Sequence, residues 1–216
     1  MNFPTLRNPV ALSACVALMF VSAPGFCHDG VVHKTLEEAD QHIAATANTT
    51  GFPDIKGGDF RLIDQKGQER TSADPEGRYQ FIFFGYANCK AICDVALPRM
   101  AEAVDLLEER NIAVTPVLIT VDPERDTVKT MNERASQIHP KLVGLTGDIQ
   151  ALEEAYKAFQ IEKSLVYEHP DEGPVYAHGS FVYLLDPEGH FKTLFPPILG
   201  AERMAEVTAE YVNGQK

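Results

Sequence analysis

Two cysteines four positions apart, Cys89 and Cys93, have the spacing in this chain that most directly suggests chemistry. They follow residues 79–84, an aromatic and β-branched run typical of a buried strand, and we expect them to open the next helix. The first turn of a helix favours thiolate over thiol, because its N–H groups are unpaired. The spacing would place both sulfurs on one helical face, with Cα atoms ~6 Å apart. The pair can therefore be a dithiol or a strained disulfide.

Two thiolates suit a soft monovalent ion such as Cu(I). They do not complete the tetrahedral set of zinc, which needs two more nitrogen or sulfur ligands. A third ligand should therefore come from elsewhere in the fold. Seven histidines could supply it: His28, His33, His42, His139, His169, His178 and His190. The alternative for the cysteines is an inert structural disulfide, although a bridge closing so short a loop stabilises little.

Strand and helix patterns alternate along the chain and predict an α/β fold. Strands are predicted over residues 60–63, 79–84, 113–121, 142–145, 181–185 and 191–195, and helices over residues 101–110, 126–138, 148–159 and 201–212. Strand–helix–strand units imply parallel pairing, whereas hairpin signals at both ends imply antiparallel strands. This pattern predicts a thioredoxin-like mixed central sheet flanked by helices, with an N-terminal β-hairpin elaboration.

Pro98 complicates the helix after the cysteines, because a proline inside a helix clashes with the carbonyl four residues earlier, that of Asp94. Either the cysteine turn is separate from the helix, or the helix kinks near Asp94. We favour the kink, since thioredoxin-like proteins have a kinked active-site helix with a proline at this offset.

His178 is the histidine best placed to complete a metal site. It precedes the strand predicted over residues 181–185, and in thioredoxin-like folds the loop before this strand faces the cysteine turn. Redox members of that fold have a proline there. His139 precedes a proline at a helix end and reads as structural or solvated, and His190 lies in a tight turn facing away. A histidine in a loop is ordinarily a structural residue, and only the expected position of His178 opposite the cysteines favours a ligand role.

Composition and charge narrow the function classes. The 216 residues are 44% hydrophobic and 23% charged, which is ordinary for a globular domain with a short extension. The formal charge is −12 and the sequence has no basic stripe, so nucleic acid is not expected as a partner. We expect a monomer.

The first residues have the pattern of an export signal. Arg7 precedes an apolar run over residues 10–21, too short for a comfortable membrane span. We predict a signal peptide over residues 1–27, a polar extension or linker over residues 28–50, and a thioredoxin-like copper-binding domain over residues 51–216. The chain would then be periplasmic. An uncleaved membrane anchor is the alternative.

Several motifs in fixed order make this chain resemble the Sco (SenC-type) copper proteins over about residues 50–212. The motifs are Cys89-Lys90-Ala91-Ile92-Cys93, Val121-Asp122-Pro123-Glu124-Arg125-Asp126-Thr127, and His178 before a strand followed by Asp186-Pro187-Glu188-Gly189. The resemblance implies copper binding, as Cu(I), Cu(II) or both, through Cys89, Cys93 and His178. It also implies assembly of the dinuclear copper centre of cytochrome c oxidase. The implied partner is the copper-bearing oxidase subunit or another copper chaperone.

The chain departs from this family after each cysteine, where Lys90 and Asp94 stand in place of the usual prolines. Lys90 can stabilise a thiolate and Asp94 can oppose it, which affects copper affinity and redox potential more than the site itself. Asp122 and Asp126 follow the neighbouring strand and can support the site. The simpler interpretation is that Asp122 forms a turn and Asp126 caps a helix.

Three functions fit these residues. A metallochaperone would hold and transfer copper without catalytic turnover. A thiol–disulfide oxidoreductase would use Cys89 as the attacking thiol and Cys93 as the resolving thiol to reduce partner cysteines before metallation. A peroxidase ranks last, because no clear peroxidatic motif is present. His178 discriminates between the first two, since thiol exchange does not need it.

Overall fold

The aromatic run after Arg78 forms the central strand of a mixed sheet. The computed structural model describes Ile55, residues 57–171 and residues 173–214. All of these lie within one compact unit, Phe52–Lys216. The predicted signal peptide, residues 1–27, and the predicted linker, residues 28–50, lie outside the described residues. No helix in the described ranges is long and apolar enough to cross a membrane.

The strands of the described residues belong to two sheets. In chain order they are β1 (Arg61–Asp64), β2 (Glu69–Thr71), β3 (Tyr79–Gly85), β4 (Val114–Thr120), β5 (Val143–Thr146), β6 (Lys163–His169), β7 (Gly173–His178), β8 (Val182–Leu185) and β9 (Phe191–Phe195). Seven of them form one sheet in the order β2-β1-β5-β4-β3-β8-β9, and β6 pairs with β7 alone. Strands β3, β4 and β5 run parallel, whereas β1, β2, β8 and β9 pair antiparallel.

Four helices in the described residues connect or follow these strands. They are α1 (Cys93–Glu109), α2 (Val128–Ile138), α3 (Ile149–Ala158) and α4 (Ala201–Val212). Helix α1 packs against α4 and β4, α2 against β5, and α3 against β1. The predicted mixed sheet with flanking helices and the N-terminal hairpin β1–β2 are therefore present.

Strand β3 is buried along nearly its whole length because parallel strands have both faces covered. Phe83 and Phe84 are fully buried on its two faces. The ring of Phe84 lies 5.3 Å from that of Phe159 and 6.0 Å from that of Tyr183, between centroids. These contacts fix the strand whose end leads into the cysteines.

The hairpin β6–β7 is an element that the sequence patterns do not predict. Residues 163–168 are exposed, including the large apolar side chains of Leu165, Val166 and Tyr167. A strand is recognised from apolar residues on alternate positions, and a strand exposed on both faces lacks that signal. The hairpin matters for the site because its last residue is His178.

Candidate metal centre

The loop between β3 and α1 presents both cysteines at the carboxyl end of the central strand. Its first turn is closed by the N–H of Cys89, which donates to the carbonyl of Tyr86 at 3.1 Å. Helix α1 begins only at Cys93. The prediction that both cysteines lie on one helical face is therefore wrong, because the backbone N–H of Cys89 is already committed to the turn.

Pro98 lies inside helix α1, which runs without interruption from Cys93 to Glu109. The turn that contains Cys89 is separate from this helix. For Cys89, the alternative of a cysteine turn outside the helix is therefore the correct one. Cys93, by contrast, is the first residue of the helix, where backbone N–H groups have no helical partner. The two sulfurs thus come from two local structures that meet.

His178 lies beside the cysteines in the segment that precedes β8, the strand that pairs with β3 along the edge opposite β4. Strand β8 pairs antiparallel with β3, with Val182 opposite Phe83, so the segment before β8 lies beside the end of β3. His178 is in that segment, but it ends strand β7 rather than lying in a loop, which corrects the prediction. The loop consists only of the residues between β7 and β8.

The structure brings the three predicted ligands together. One donor atom from each of Cys89, Cys93 and His178 lies within 4.8 Å of the other two. Both thiols are free, with Cys89 3% and Cys93 0% exposed, and His178 is half-buried. The sulfurs therefore face the protein interior, while the imidazole lies nearer to solvent.

The tautomer of His178 leaves one ring nitrogen available as a ligand. Nδ1 lies 3.0 Å from the carbonyl oxygen of Gly179, which can only accept, so Nδ1 carries the proton and donates. The lone pair of the neutral imidazole is then on Nε2. The imidazole ring packs nearly perpendicular to the rings of Phe83 and Tyr86, with centroids 6.3 and 6.1 Å away. These contacts set the ring orientation.

The two cysteines share their charge unequally. A hydrogen bond from Cys93 is the main cause that lowers the pKa of Cys89, against the effect of burial. The same bond to Cys89, together with burial, raises the pKa of Cys93. Both shifts act in the direction that places the negative charge of the metal-free pair on Cys89 rather than on Cys93.

Comparisons with known proteins identify the family of this chain. The SCO1/SenC family model matches residues 48–213. The chain belongs to the SCO1/SenC family. A SCO2-like protein of Rickettsia conorii is 39% identical over 137 residues, which cover 62% of this chain and 66% of that protein. The match thus spans about two thirds of the length of that relative.

Solved structures of two family members share this fold with copper bound. ScoI of Arabidopsis thaliana with copper bound has a TM-score of 0.69 and 29% identity, covering 73% of this chain and 98% of that one. ScoI of Bradyrhizobium japonicum with copper bound has a TM-score of 0.65 and 31% identity, covering 72% and 99%. The predicted thioredoxin-like fold is confirmed by these neighbours.

Tyr86 is a site residue of this SCO1/SenC chain that the sequence reasoning missed. Burial raises the pKa of its hydroxyl, and the charge of Cys89 and a hydrogen bond with Cys89 raise it further. Its ring packs nearly perpendicular to the rings of Tyr176 and His178, at 5.8 and 6.1 Å between centroids. An aromatic residue between a buried strand and a cysteine turn is the signal that could have identified it.

Asp126 and Asp122 support the site rather than joining its donor atoms. Asp126 Oδ2 accepts the N–H of Ala87 at 3.0 Å and the hydroxyl of Thr120 at 2.6 Å. Asp122 forms the predicted turn and pairs with Arg125. The prediction that Asp126 caps helix α2 is wrong, because the cap is Thr127, whose hydroxyl accepts the N–H of Thr130.

The two departures from the family pattern have different surroundings. Lys90 is exposed. Asp94 pairs with Arg134 of helix α2, whose charge also lowers the pKa of Cys93, although burial and Cys89 outweigh it. The negative charge that Asp94 adds beside Cys93 is therefore countered by a neighbouring cation.

The other histidines lie apart from the three donors or outside the described residues. His139 Nδ1 accepts the N–H of Lys141, so Nε2 carries the proton and donates to Asp105 at 3.1 Å, which confirms a structural role. His190 is exposed beside Asp186 and Glu188 in the β8–β9 turn. His169 Nδ1 accepts the N–H of Asp171. His28, His33 and His42 precede the described residues.

Proposed function

We propose that this chain binds copper through Cys89, Cys93 and His178 and transfers it during assembly of the dinuclear copper centre of cytochrome c oxidase. The observation that carries the proposal is the convergence of the three donor atoms within 4.8 Å. Copper is here the cargo, and no turnover is required. The copper bound to the two related ScoI proteins supports the choice of metal.

The chemistry of the donors fits copper better than other metals. Two sulfurs and one imidazole nitrogen suit Cu(I), whereas a structural zinc site takes four ligands. Among the described residues the group that includes the cysteines has only three members. The nearby carboxylates of Asp126 and Asp122 are already bonded to Ala87, Thr120 and Arg125.

Copper titration of the reduced chain tests this function. Cu(I) supplied from a chromogenic chelator should bind one per chain, with X-ray absorption showing two sulfur neighbours and one nitrogen neighbour. Cys89→Ser and Cys93→Ser should lose the competition with the chelator, and His178→Ala should lose the nitrogen neighbour. His190→Ala is the control, because His190 is exposed and remote from the donors. Equal copper binding by wild type and all three ligand variants would disprove the site.

The second candidate function is thiol–disulfide exchange, favoured by the thiolate at Cys89 beside the thiol of Cys93. The Cys89 thiolate would attack a partner disulfide, form a mixed disulfide and release one partner thiolate. Cys93 would then displace the second partner thiolate and close a Cys89–Cys93 disulfide. His178→Ala separates the functions: it should abolish oxidase assembly in cells while still reducing a model disulfide. Normal assembly with this variant would put the reductase first.

We further propose that the copper domain, residues 51–216, is monomeric and exported to the periplasm by a signal peptide over residues 1–27. Its partner would be the copper-bearing oxidase subunit or another copper chaperone. The apolar run over residues 10–21 supports export. Mass spectrometry of the periplasmic protein should find an N-terminus between about Gly25 and Gly30. An intact Met1 in the membrane fraction would instead show an anchor.

A further inference from the structure

The hairpin that ends in His178 is attached to the rest of the fold mainly by side chains. Strands β6 and β7 pair with each other and not with the seven-stranded sheet, among the residues described. A two-stranded hairpin is at best marginally stable in water by itself. Something must therefore hold β7 against the end of β3 for His178 to stay beside the cysteines.

Arg125 lies in the segment after β4, which also supports the cysteine loop, and it contacts the hairpin directly. Its Nη2 donates to the carbonyl of Pro174 in β7 at 2.8 Å. Its Nε pairs with the carboxylate of Asp122, which is 1% exposed and follows β4. The arginine thus links a buried residue of the main sheet to the main chain of β7.

The guanidinium of Arg125 also lies over the ring of Tyr86, with its carbon 5.8 Å from the ring centroid. Tyr86 in turn contacts the rings of Tyr176 and His178. Arg125 therefore acts on β7 twice, once through the Pro174 carbonyl and once through the tyrosine beside the ligand histidine.

Gly173 provides the room that this arrangement needs. A Cβ atom at Gly173 would lie 2.5 Å from Nη1 of Arg125, and the residue has a positive φ of 78°. Glycine is the residue that tolerates both conditions. The first position of β7 is thus shaped to accept the guanidinium.

We propose that Arg125 is a positioning residue that latches hairpin β6–β7 to the Asp122 end of β4 and so holds His178 over Cys89 and Cys93. The proposal rests on the proposed function, since it concerns the ligand histidine of that site. A planar guanidinium is needed, because one face covers Tyr86 while separate N–H groups reach Asp122 and Pro174. A lysine offers a single ammonium and cannot make all three contacts at once.

The test compares Arg125→Met and Arg125→Lys with a matched control, Arg78→Met. Arg78 resembles Arg125 in exposure, 32% against 25% of the side chain, and it also pairs with a buried aspartate, Asp74. It precedes β3, however, at the strand end opposite the cysteines. A general loss of stability should affect both arginine positions, whereas a latch should affect only Arg125.

The first measurement uses the metal-free chain and does not depend on copper. Amide hydrogen exchange in β7 should become about tenfold faster in Arg125→Met, the factor expected for losing one hydrogen bond from a charged group, while exchange in β8 stays unchanged. Arg78→Met should leave the ratio of β7 to β8 exchange as in wild type. Unchanged β7 exchange in both Arg125 variants would overturn the latch.

The second measurement uses Cu(I) in competition with a chelator. Arg125→Met should weaken copper binding about 10–100-fold, as is typical when the support of a ligand is removed, and reduce the nitrogen neighbours seen by X-ray absorption. Arg125→Lys should also weaken copper binding. If wild type itself fails to bind copper, the proposed function fails while the exchange result still decides the latch. Equal loss of copper in Arg78→Met would also overturn the latch.

Discussion

The carboxylate of Asp126 accepts the backbone N–H of Ala87 at 3.0 Å, and this bond joins the loop before Cys89 to the segment after β4. The same oxygen accepts the hydroxyl of Thr120 at 2.6 Å. Beside it, the N–H of Val121 donates to the carbonyl of Gly85 at 2.7 Å. Two hydrogen bonds to the segment after β4 therefore fix the start of the cysteine loop. One joins the Ala87 N–H to the side chain of Asp126, and the other joins the Gly85 carbonyl to the backbone of Val121.

Replacing Asp126 with alanine should destabilise the fold. The variant leaves the buried Thr120 hydroxyl and the Ala87 N–H without their acceptor, which costs on the order of 1–3 kcal/mol. Asp126→Asn keeps an oxygen in that place and should lose less. Denaturant unfolding followed by circular dichroism measures both variants, and equal stability of Asp126→Ala and wild type would contradict the role given to this carboxylate.

The pH dependence of stability should reveal the ionisation of Asp126. Burial raises the pKa of Asp126, and the bonds from Thr120 and Ala87 only partly oppose this. A carboxyl with a raised folded-state pKa stabilises the fold at low pH and loses that contribution as pH rises through the folded pKa. The unfolding free energy of Asp126→Asn relative to wild type should therefore increase from about pH 4, near the ordinary aspartate value, towards neutrality. A difference that falls with pH would contradict this sign.

The two thiols should titrate far apart. One thiolate should form well below the ordinary pKa of a cysteine and the second well above it, which the ultraviolet absorbance of thiolate follows directly. Cys93→Ala removes the main hydrogen bond that stabilises the Cys89 thiolate, so the remaining pKa should rise. In Cys89→Ala the remaining Cys93 should titrate lower than it does in wild type. Two coincident steps near the ordinary value would exclude this coupling.

Gly85→Ala should disturb the site from within the core. A Cβ atom there would lie 2.9 Å from the sulfur of Cys93 and 3.2 Å from Leu118 Cδ1. Overpacking of this kind costs about 1–3 kcal/mol, and here it also displaces a proposed ligand. We expect weaker Cu(I) binding together with a lower unfolding free energy. Gly200→Ala is the control, because the nearest atom to its Cβ is a carboxylate oxygen of Glu202 at 3.4 Å.

The main sheet and the cysteines were accessible from the sequence because their signals are local. Residues 79–84 and 113–121 are mostly apolar, and they form β3 (Tyr79–Gly85) and β4 (Val114–Thr120). Two cysteines after such a strand mark the end of the sheet without any knowledge of the rest of the chain. The local pattern did not reveal where the helix begins, since the turn bond from Cys89 to Tyr86 competes with helix formation.

The parts that escaped prediction depend on contacts between distant segments. Strand β6 has an exposed apolar side chain at each of residues 165–167, which matches neither a buried strand nor an amphipathic helix. Its partner β7 is held by pairing with β6 and by the hydrogen bond from Arg125 to the carbonyl of Pro174 in β7. These two residues are 49 positions apart in the sequence. Tyr86 was likewise unrecognised: its position between a buried strand and the cysteine turn is visible in the sequence, but its contact with His178 depends on the fold.

The separate attachment of His178 has a consequence for how a bound ion would leave. Cys93 belongs to the packed end of α1 and is fully buried, whereas His178 is half-buried on a sheet of two strands. For an ion held by all three donors, the nitrogen can dissociate while the seven-stranded sheet stays closed. Under the proposed function, a donor from an incoming protein would take the vacated coordination position before either sulfur dissociates. Exchange between proteins would thus proceed one bond at a time, with the ion never released into solvent.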